Sequence, residues 1–188
     1  MKKYVLLFLI LFVCTYTFGQ LGYRYGSSFI ELYPDSSSLY FVQTRNAEQM
    51  MKIKERVLND KEGAKIIANL ADNACIVNKK TIGAGHYISD IYNDKDGHKL
   101  IMLPRFAVKM KVGYEINELL TLYGKYLSFD KKELDLFMFN CNFNNSVDVL
   151  NINEKINLLE SVEWCEPMMI GEVQKINDLY GNQYYIIT

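Results

Sequence analysis

Apolar and polar residues alternate most sharply in the middle of the chain. Phe106, Val108, Met110 and Val112 alternate with Ala107, Lys109 and Lys111, and a period of two is that of a half-buried strand. Ile116, Leu119, Leu120 and Tyr123 then share one face at helical spacing. Gly124 follows where a left-handed residue suits a helix C-terminus. Two more strand-like runs, residues 126–129 and 134–143, flank Asp130-Lys131-Lys132-Glu133, which reads as a polar turn. A second helix is expected from Asn145 or Ser146, both good N-caps, with Val149, Ile152, Ile156 and Leu159 at spacings of three and four. The last strand, residues 162–166, is expected to stop at Pro167. The order strand, helix, strand, strand, helix, strand over about residues 100–168 predicts an α+β fold with a ferredoxin-like βαββαβ unit.

Upstream, residues 23–32 and 39–43 predict a hairpin about the turn-forming Tyr33-Pro34-Asp35-Ser36-Ser37-Ser38. A helix follows, capped by Asn46 with Gln49 three residues on, and buries Met50, Ile53 and Val57. Residues 64–79 predict a short turn or helix and then a strand over 74–78. Residues 87–92 and 99–103 flank Asn93-Asp94-Lys95-Asp96-Gly97 and predict a second hairpin. A break in composition at Gly83-Ala84-Gly85 sets off a small β-hairpin and helix lobe, residues 21–82, from the ferredoxin-like domain, residues 83–168, and an extended tail, residues 169–188.

Residues 1–20 carry an export signal. Lys2 and Lys3 precede an apolar run over 4–13 and a small polar stretch ending at Gly19-Gln20. The run is too short for a spanning anchor. Cleavage near Gln20 and a secreted or periplasmic chain are expected. Leu11-Phe12-Val13-Cys14 loosely resembles a lipobox, but bulky Val13 stands where a small residue belongs. The 49% hydrophobic and 13% aromatic content is that of a folded globular protein.

Removing Lys2 and Lys3 from 21 basic residues leaves 19 against 22 acidic, a net charge of −3. That balance argues against a nucleic-acid partner. Cys75, Cys141 and Cys165 remain after cleavage, and an odd number cannot all pair within the chain. Cys141 and Cys165 fall on strands expected to flank the first strand from opposite sides, so all three read as small buried hydrophobes.

No catalytic constellation is expected. His86 and His98 are the only histidines, and neither has partners at metal-ligand spacing. Gly-x-Ser-x-Gly, phosphate-loop and dinucleotide patterns are missing. Gly26-Ser27-Ser28 has no base in view, and Glu163 and Glu166 point to opposite faces of a strand. Asp94-Lys95-Asp96-Gly97 is a fragment of a calcium loop, but His98 and Lys99 follow where further oxygen ligands are needed. Neither metal nor cofactor is expected.

The run 134–143 is apolar on both faces: Leu134, Leu136 and Met138 on one, Phe137, Phe139, Cys141 and Phe143 on the other. A sheet covered by two helices on one side needs only one apolar face. Either the N-terminal lobe or another protein must cover the second.

Several motifs, in order, resemble the propeptide region of secreted subtilisin-like serine peptidases of the Bacteroidetes type. Tyr23-Arg24-Tyr25-Gly26 with Ile30-Glu31-Leu32 is similar to the opening hairpin of those regions. Asp94-Lys95-Asp96-Gly97 and then Leu103-Pro104-Arg105-Phe106-Ala107-Val108-Lys109 resemble the start of their ferredoxin-like part. Residues 150–160 and Val162-Glu163-Trp164-Cys165-Glu166-Pro167 resemble their last helix and strand. Asn177-Asp178-Leu179-Tyr180 and Asn182-Gln183-Tyr184 resemble the opening of the mature peptidase, with Leu179 in place of Pro and Tyr184 in place of Trp. None of the family's catalytic Asp, His or Ser motifs is present to carry over.

The resemblance implies a non-catalytic domain whose sheet binds a subtilisin-like peptidase as inhibitor or folding helper, or a truncated remnant of such a peptidase. Under that implication Phe137, Phe139, Cys141 and Phe143 form the partner-binding face. Glu166, Pro167, Met168, Met169, Ile170 and Gly171 then lead an extended segment, residues 168–175, into the peptidase cleft, by backbone pairing with side chains in alternate pockets. The competing reading is a cell-envelope interaction or structural module with no peptidase partner, because fold alone does not assign function.

Overall fold

A computed structural model describes residues 21–78 and 86–171. The fold is mixed α and β: a mostly antiparallel sheet with three helices among the described residues. The elements are β1 (Gly22–Tyr25), β2 (Ser28–Glu31), β3 (Tyr33–Pro34), β4 (Tyr40–Gln43), α1 (Ala47–Leu58), β5 (Ile66–Ala71), β6 (Ala74–Val77), β7 (Tyr87–Asn93), β8 (Lys99–Met110), α2 (Asn117–Tyr123), β9 (Leu127–Glu133), β10 (Leu136–Cys141), α3 (Ser146–Asn157) and β11 (Val162–Gly171). The expected export signal, the break at residues 83–85 and the tail beyond Gly171 lie outside the described residues.

One nine-stranded sheet runs β5-β6-β4-β7-β8-β10-β9, with β11 and β3 joined to β8 and β7. β8 is long enough to serve two neighbours end to end on one side. Its start pairs with β7, from Ile91↔Ile101 to Asn93↔Lys99, and its later half pairs with β10, from Leu136↔Lys109 to Asn140↔Arg105. β11 lies antiparallel along its other side.

The sheet repeats one arrangement. In the first half β4 is followed by α1, β5, β6 and β7, and the strands lie β7-β4-β6-β5. In the second half β8 is followed by α2, β9, β10, α3 and β11, and the strands lie β11-β8-β10-β9. Both halves place the fourth strand beside the first and the third between first and second, although no sequence repeat is visible.

Helix ends follow local chemistry. Asn46 accepts a hydrogen bond from the Gln49 amide at 2.9 Å, and Gln49 reaches back to the Arg45 amide. Met50, Ile53 and Val57 are its buried stripe, packed with Val42, Cys75 and Val77. Asn145 caps α3 through the Asp148 amide at 2.9 Å, burying Val149, Leu150, Ile152 and Ile156. Gly124 corrects the expected left-handed cap. It keeps right-handed backbone, and glycine stands there because a Cβ would meet the Leu120 carbonyl oxygen at 2.4 Å.

Four other expectations are revised. The first hairpin is β1–β2, turning at Gly26, whose φ of 58° favours glycine, while residues 33–38 lead from β3 into β4. Residues 66–71 form a strand, not a turn or helix. Asp130-Lys131-Lys132-Glu133 is not a turn but the end of β9, an edge strand, where charges deter pairing with another chain. The chain reverses one step later at Leu134, with φ 55° and 96% exposure. Finally, β11 does not stop at Pro167 but continues to Gly171 through a register shift between Pro167 and Met169.

The larger core joins the two halves. It holds Phe106, Val108, Leu119, Phe139, Val149 and Ile156, and it also takes in Leu32, Phe41, Ala74 and Tyr87. The first half therefore packs against the helix-bearing side of the second.

Candidate functional site

The faces of the second half are set by β8. Phe106 and Val108 are wholly buried toward α2 and α3, as are Phe139 on β10 and Cys165 on β11. The alternate residues form the other face: Arg105, Ala107 and Lys109 on β8, paired across to Asn140, Met138 and Leu136. Trp164 and Glu166 of β11 lie opposite Lys109 and Ala107. No described helix packs on this face, yet Ala107 and Met138 at its centre are buried, with charged side chains flanking them.

Arg105 pairs with Asp130. Lys109 stands 3.4 Å from both Asp135 and Glu163, and the hydrogen bond to Glu163 raises its pKa first, with Asp135 adding to it. Glu166 differs: no cation contacts it among the described residues. Burial raises its carboxyl pKa, and the hydrogen bond from the Tyr23 hydroxyl opposes that rise. The same burial, with the Glu166 charge, pushes Tyr23 up to about 12.

Tyr23 reaches this face because β1 lies beside the outer edge of β11, separated from it by two asparagines of α3. Asn153 accepts from the Arg24 amide at 2.7 Å and donates to the Cys165 carbonyl at 2.7 Å. Asn157 accepts from the Cys165 amide at 2.9 Å and donates to the carbonyls of Cys165 and Arg24. Side-chain amides thus stand in for a missing strand and satisfy backbone groups an edge would leave open. The hairpin extends the uncovered face with Tyr23, Tyr25 and Ile30, and the Tyr25 ring lies 5.1 Å from that of Trp164.

The proposed partner-binding set therefore needs correcting. Phe139 is wholly buried and Cys141 nearly so; Phe137 and Phe143 are partly buried and pack against the same core. Phe129 meets Phe139 edge-on at 5.9 Å, Phe143 stacks on Tyr126 at 5.4 Å, and the Lys132 ammonium sits 4.8 Å over Phe137. They form the helix-side face; Leu136 and Met138 form the other one, where Leu136 is half-buried and Met138, like Ala107 beside it, is buried.

The expected cleft-binding residues, Glu166, Pro167, Met168, Met169, Ile170 and Gly171, are not a free tail. They belong to β11 and pair with β8 as far as Gly171↔Leu100, with Pro167 and Met169 buried. Residues 172–175, the continuation of that extension, and the stretch 177–184 lie outside the described residues.

The acidic turn brings ligand atoms of Asp94, Asp96 and His98 within 4.8 Å of one another. Its contacts already serve the backbone. Asp94 accepts from the amides of Asp96 at 2.8 Å and His98 at 2.9 Å, and meets His98 Nδ1 at 2.9 Å. Burial alone would raise the Asp94 pKa; the His98 contacts and the Asp96 amide outweigh it and lower it. Cys75, Cys141 and Cys165 are buried free thiols, their pKa values all raised by burial.

Tyr23, Tyr25 and Trp164 were not legible as members of one surface, because β1 and β11 come together only in the folded chain. The single tryptophan on an alternating strand was the one signal available. No protein-family model, curated protein or solved structure matches the chain. No described helix is long and apolar enough to cross a membrane.

Proposed function

We propose that the chain is an exported, non-catalytic, propeptide-like domain that binds a subtilisin-like serine peptidase as inhibitor or folding helper. One observation carries the reading: the strands β11-β8-β10-β9 lie with α2 and α3 on one side, and the other side has no helix over it. That order is the one a ferredoxin-like βαββαβ unit requires. An uncovered sheet face with an apolar centre is also what a protein partner needs.

The ordered motif resemblance supplies the identity of the partner class. The burial of Phe139 favours the other side of the sheet as the binding face, where Leu136 and Trp164 are half-buried. With residues 166–171 paired to β8, the reading requires any cleft-directed segment to follow Gly171. The competing reading, a cell-envelope interaction module, uses the same face on a different partner.

Purified residues 21–188 added to a secreted subtilisin-like peptidase should slow hydrolysis of a chromogenic peptide in proportion to the amount added. Leu136→Asp should weaken that inhibition without unfolding the domain. Full peptidase activity in the presence of a large molar excess would leave the interaction-module reading in its place.

A further inference from the structure

We infer that the uncovered face receives a protein partner through a basic side chain, with the Glu166 carboxylate as its counter-charge. The inference deepens the function proposed above and rests on it for the class of partner. Glu166 lies on β11, opposite Ala107 of β8, with Met138 on the strand beyond. Three cations of this face, Arg105, Lys109 and Lys131, are already held, by Asp130, by Asp135 with Glu163, and by Glu133. A half-buried carboxylate with no cation is costly in the free protein, and a guanidinium or ammonium brought by a partner removes that cost.

The surroundings suit such a guest. Tyr23 stands beside Glu166, and the carboxylate keeps lone pairs for a further donor. Tyr25, 44% exposed, and the half-buried Trp164 form a ring pair two residues along β11, where aromatic faces attract a cation and supply apolar contact. The frame is built from separate elements: β1 brings the tyrosines, and β11 brings Trp164 and Glu166. The asparagines of α3 hold β1 in place. A stretch of chain lacking α3 would not assemble it.

The chain's single tryptophan is therefore a reporter of occupancy. Hexa-arginine titrated into residues 21–188 at low salt should change Trp164 emission saturably, and hexaglutamate should not. Glu166→Gln should weaken the hexa-arginine response roughly tenfold. Glu118→Gln, which removes the same charge from the exposed first turn of α2 on the opposite side of the sheet, should leave it unchanged.

Equal responses in the two variants, or no Trp164 response to hexa-arginine, overturn the inference. So does sedimentation showing that the face is closed by a second copy of the chain at working concentration. Peptidase inhibition measured on the same proteins separates the two levels. Absent inhibition with a Glu166-dependent hexa-arginine response removes the peptidase and keeps the basic partner. Inhibition that Glu166→Gln does not alter removes the basic contact and keeps the peptidase.

Discussion

Replacing Phe139 by alanine tests the assignment of faces on which the proposed site depends. The ring is wholly buried, faces Phe106 across the ladder and meets Phe129 edge-on at 5.9 Å. An aromatic side chain buries about 150–250 Å², worth roughly 4–6 kcal/mol at about 25 cal/mol per Å². Alanine retains a part, and core Phe→Ala changes cost about 3–5 kcal/mol, so a loss of about 4 kcal/mol is expected. A domain of this size has about 5–15 kcal/mol in total, so the variant should still fold but with a much lower urea midpoint. Leu136→Asp is the matched control on the other face. Leu136 is half-buried between Lys109 and Glu133, so the new carboxylate gains one neighbour and opposes the other, for a net cost under about 1 kcal/mol. Equilibrium urea unfolding followed by circular dichroism, with unchanged denaturant slopes, measures both. A Phe139→Ala loss below about 1 kcal/mol, or a larger loss for Leu136→Asp, would put the core on the other side of β10 and refute the site.

Three further outcomes are expected. Asn153→Ala strips the wholly buried amide from the Arg24 amide and the Cys165 carbonyl, costing about 2–3 kcal/mol. Hydrogen exchange should then quicken over residues 22–31 but not over α1, and unchanged protection of the hairpin would show that the asparagine bridge does not hold it. Glu166 has a folded pKa above its usual 4.5 because burial disfavours the carboxylate, so folding favours the protonated form. Wild-type stability should rise relative to Glu166→Gln as pH falls through the raised value toward 4.5, and Glu166→Gln should be the more stable at neutral pH. A flat difference across that window would remove Glu166 from the desolvated face. Cys75, Cys141 and Cys165 should react with a thiol reagent only after denaturant is added, since all are buried and their thiolates disfavoured. A fast-reacting thiol in the native protein would contradict their placement in the core.

What could be read along the chain was whatever neighbouring residues settle among themselves. Asn46 and Asn145 cap helices through amides three residues away, so both helix starts were visible. The turn at Asp94 to Gly97 was visible for the same reason. Turn position in β9–β10 was not, because the charged residues 130–133 suit an exposed edge strand as well as a turn, and only pairing to β10 distinguishes the two.

The sequence by itself determined where the helices and most of the strands form, that the second half follows strand, helix, strand, strand, helix, strand, and that no familiar catalytic pattern runs through it. It did not decide which face of β10 is core. A period of two separates residues into two sets without saying which set is inward, and here both sets are apolar. Tertiary structure broke that tie: α2 and α3 cross on the side of Phe106 and Phe139, and the first half closes the same core with Leu32 and Phe41. It also brought Tyr23 to Glu166, across more than a hundred residues, because the asparagines of α3 make an edge of β11 that β1 can join. Such a contact has no local pattern, since the distance between its partners is fixed by the packing of a third element.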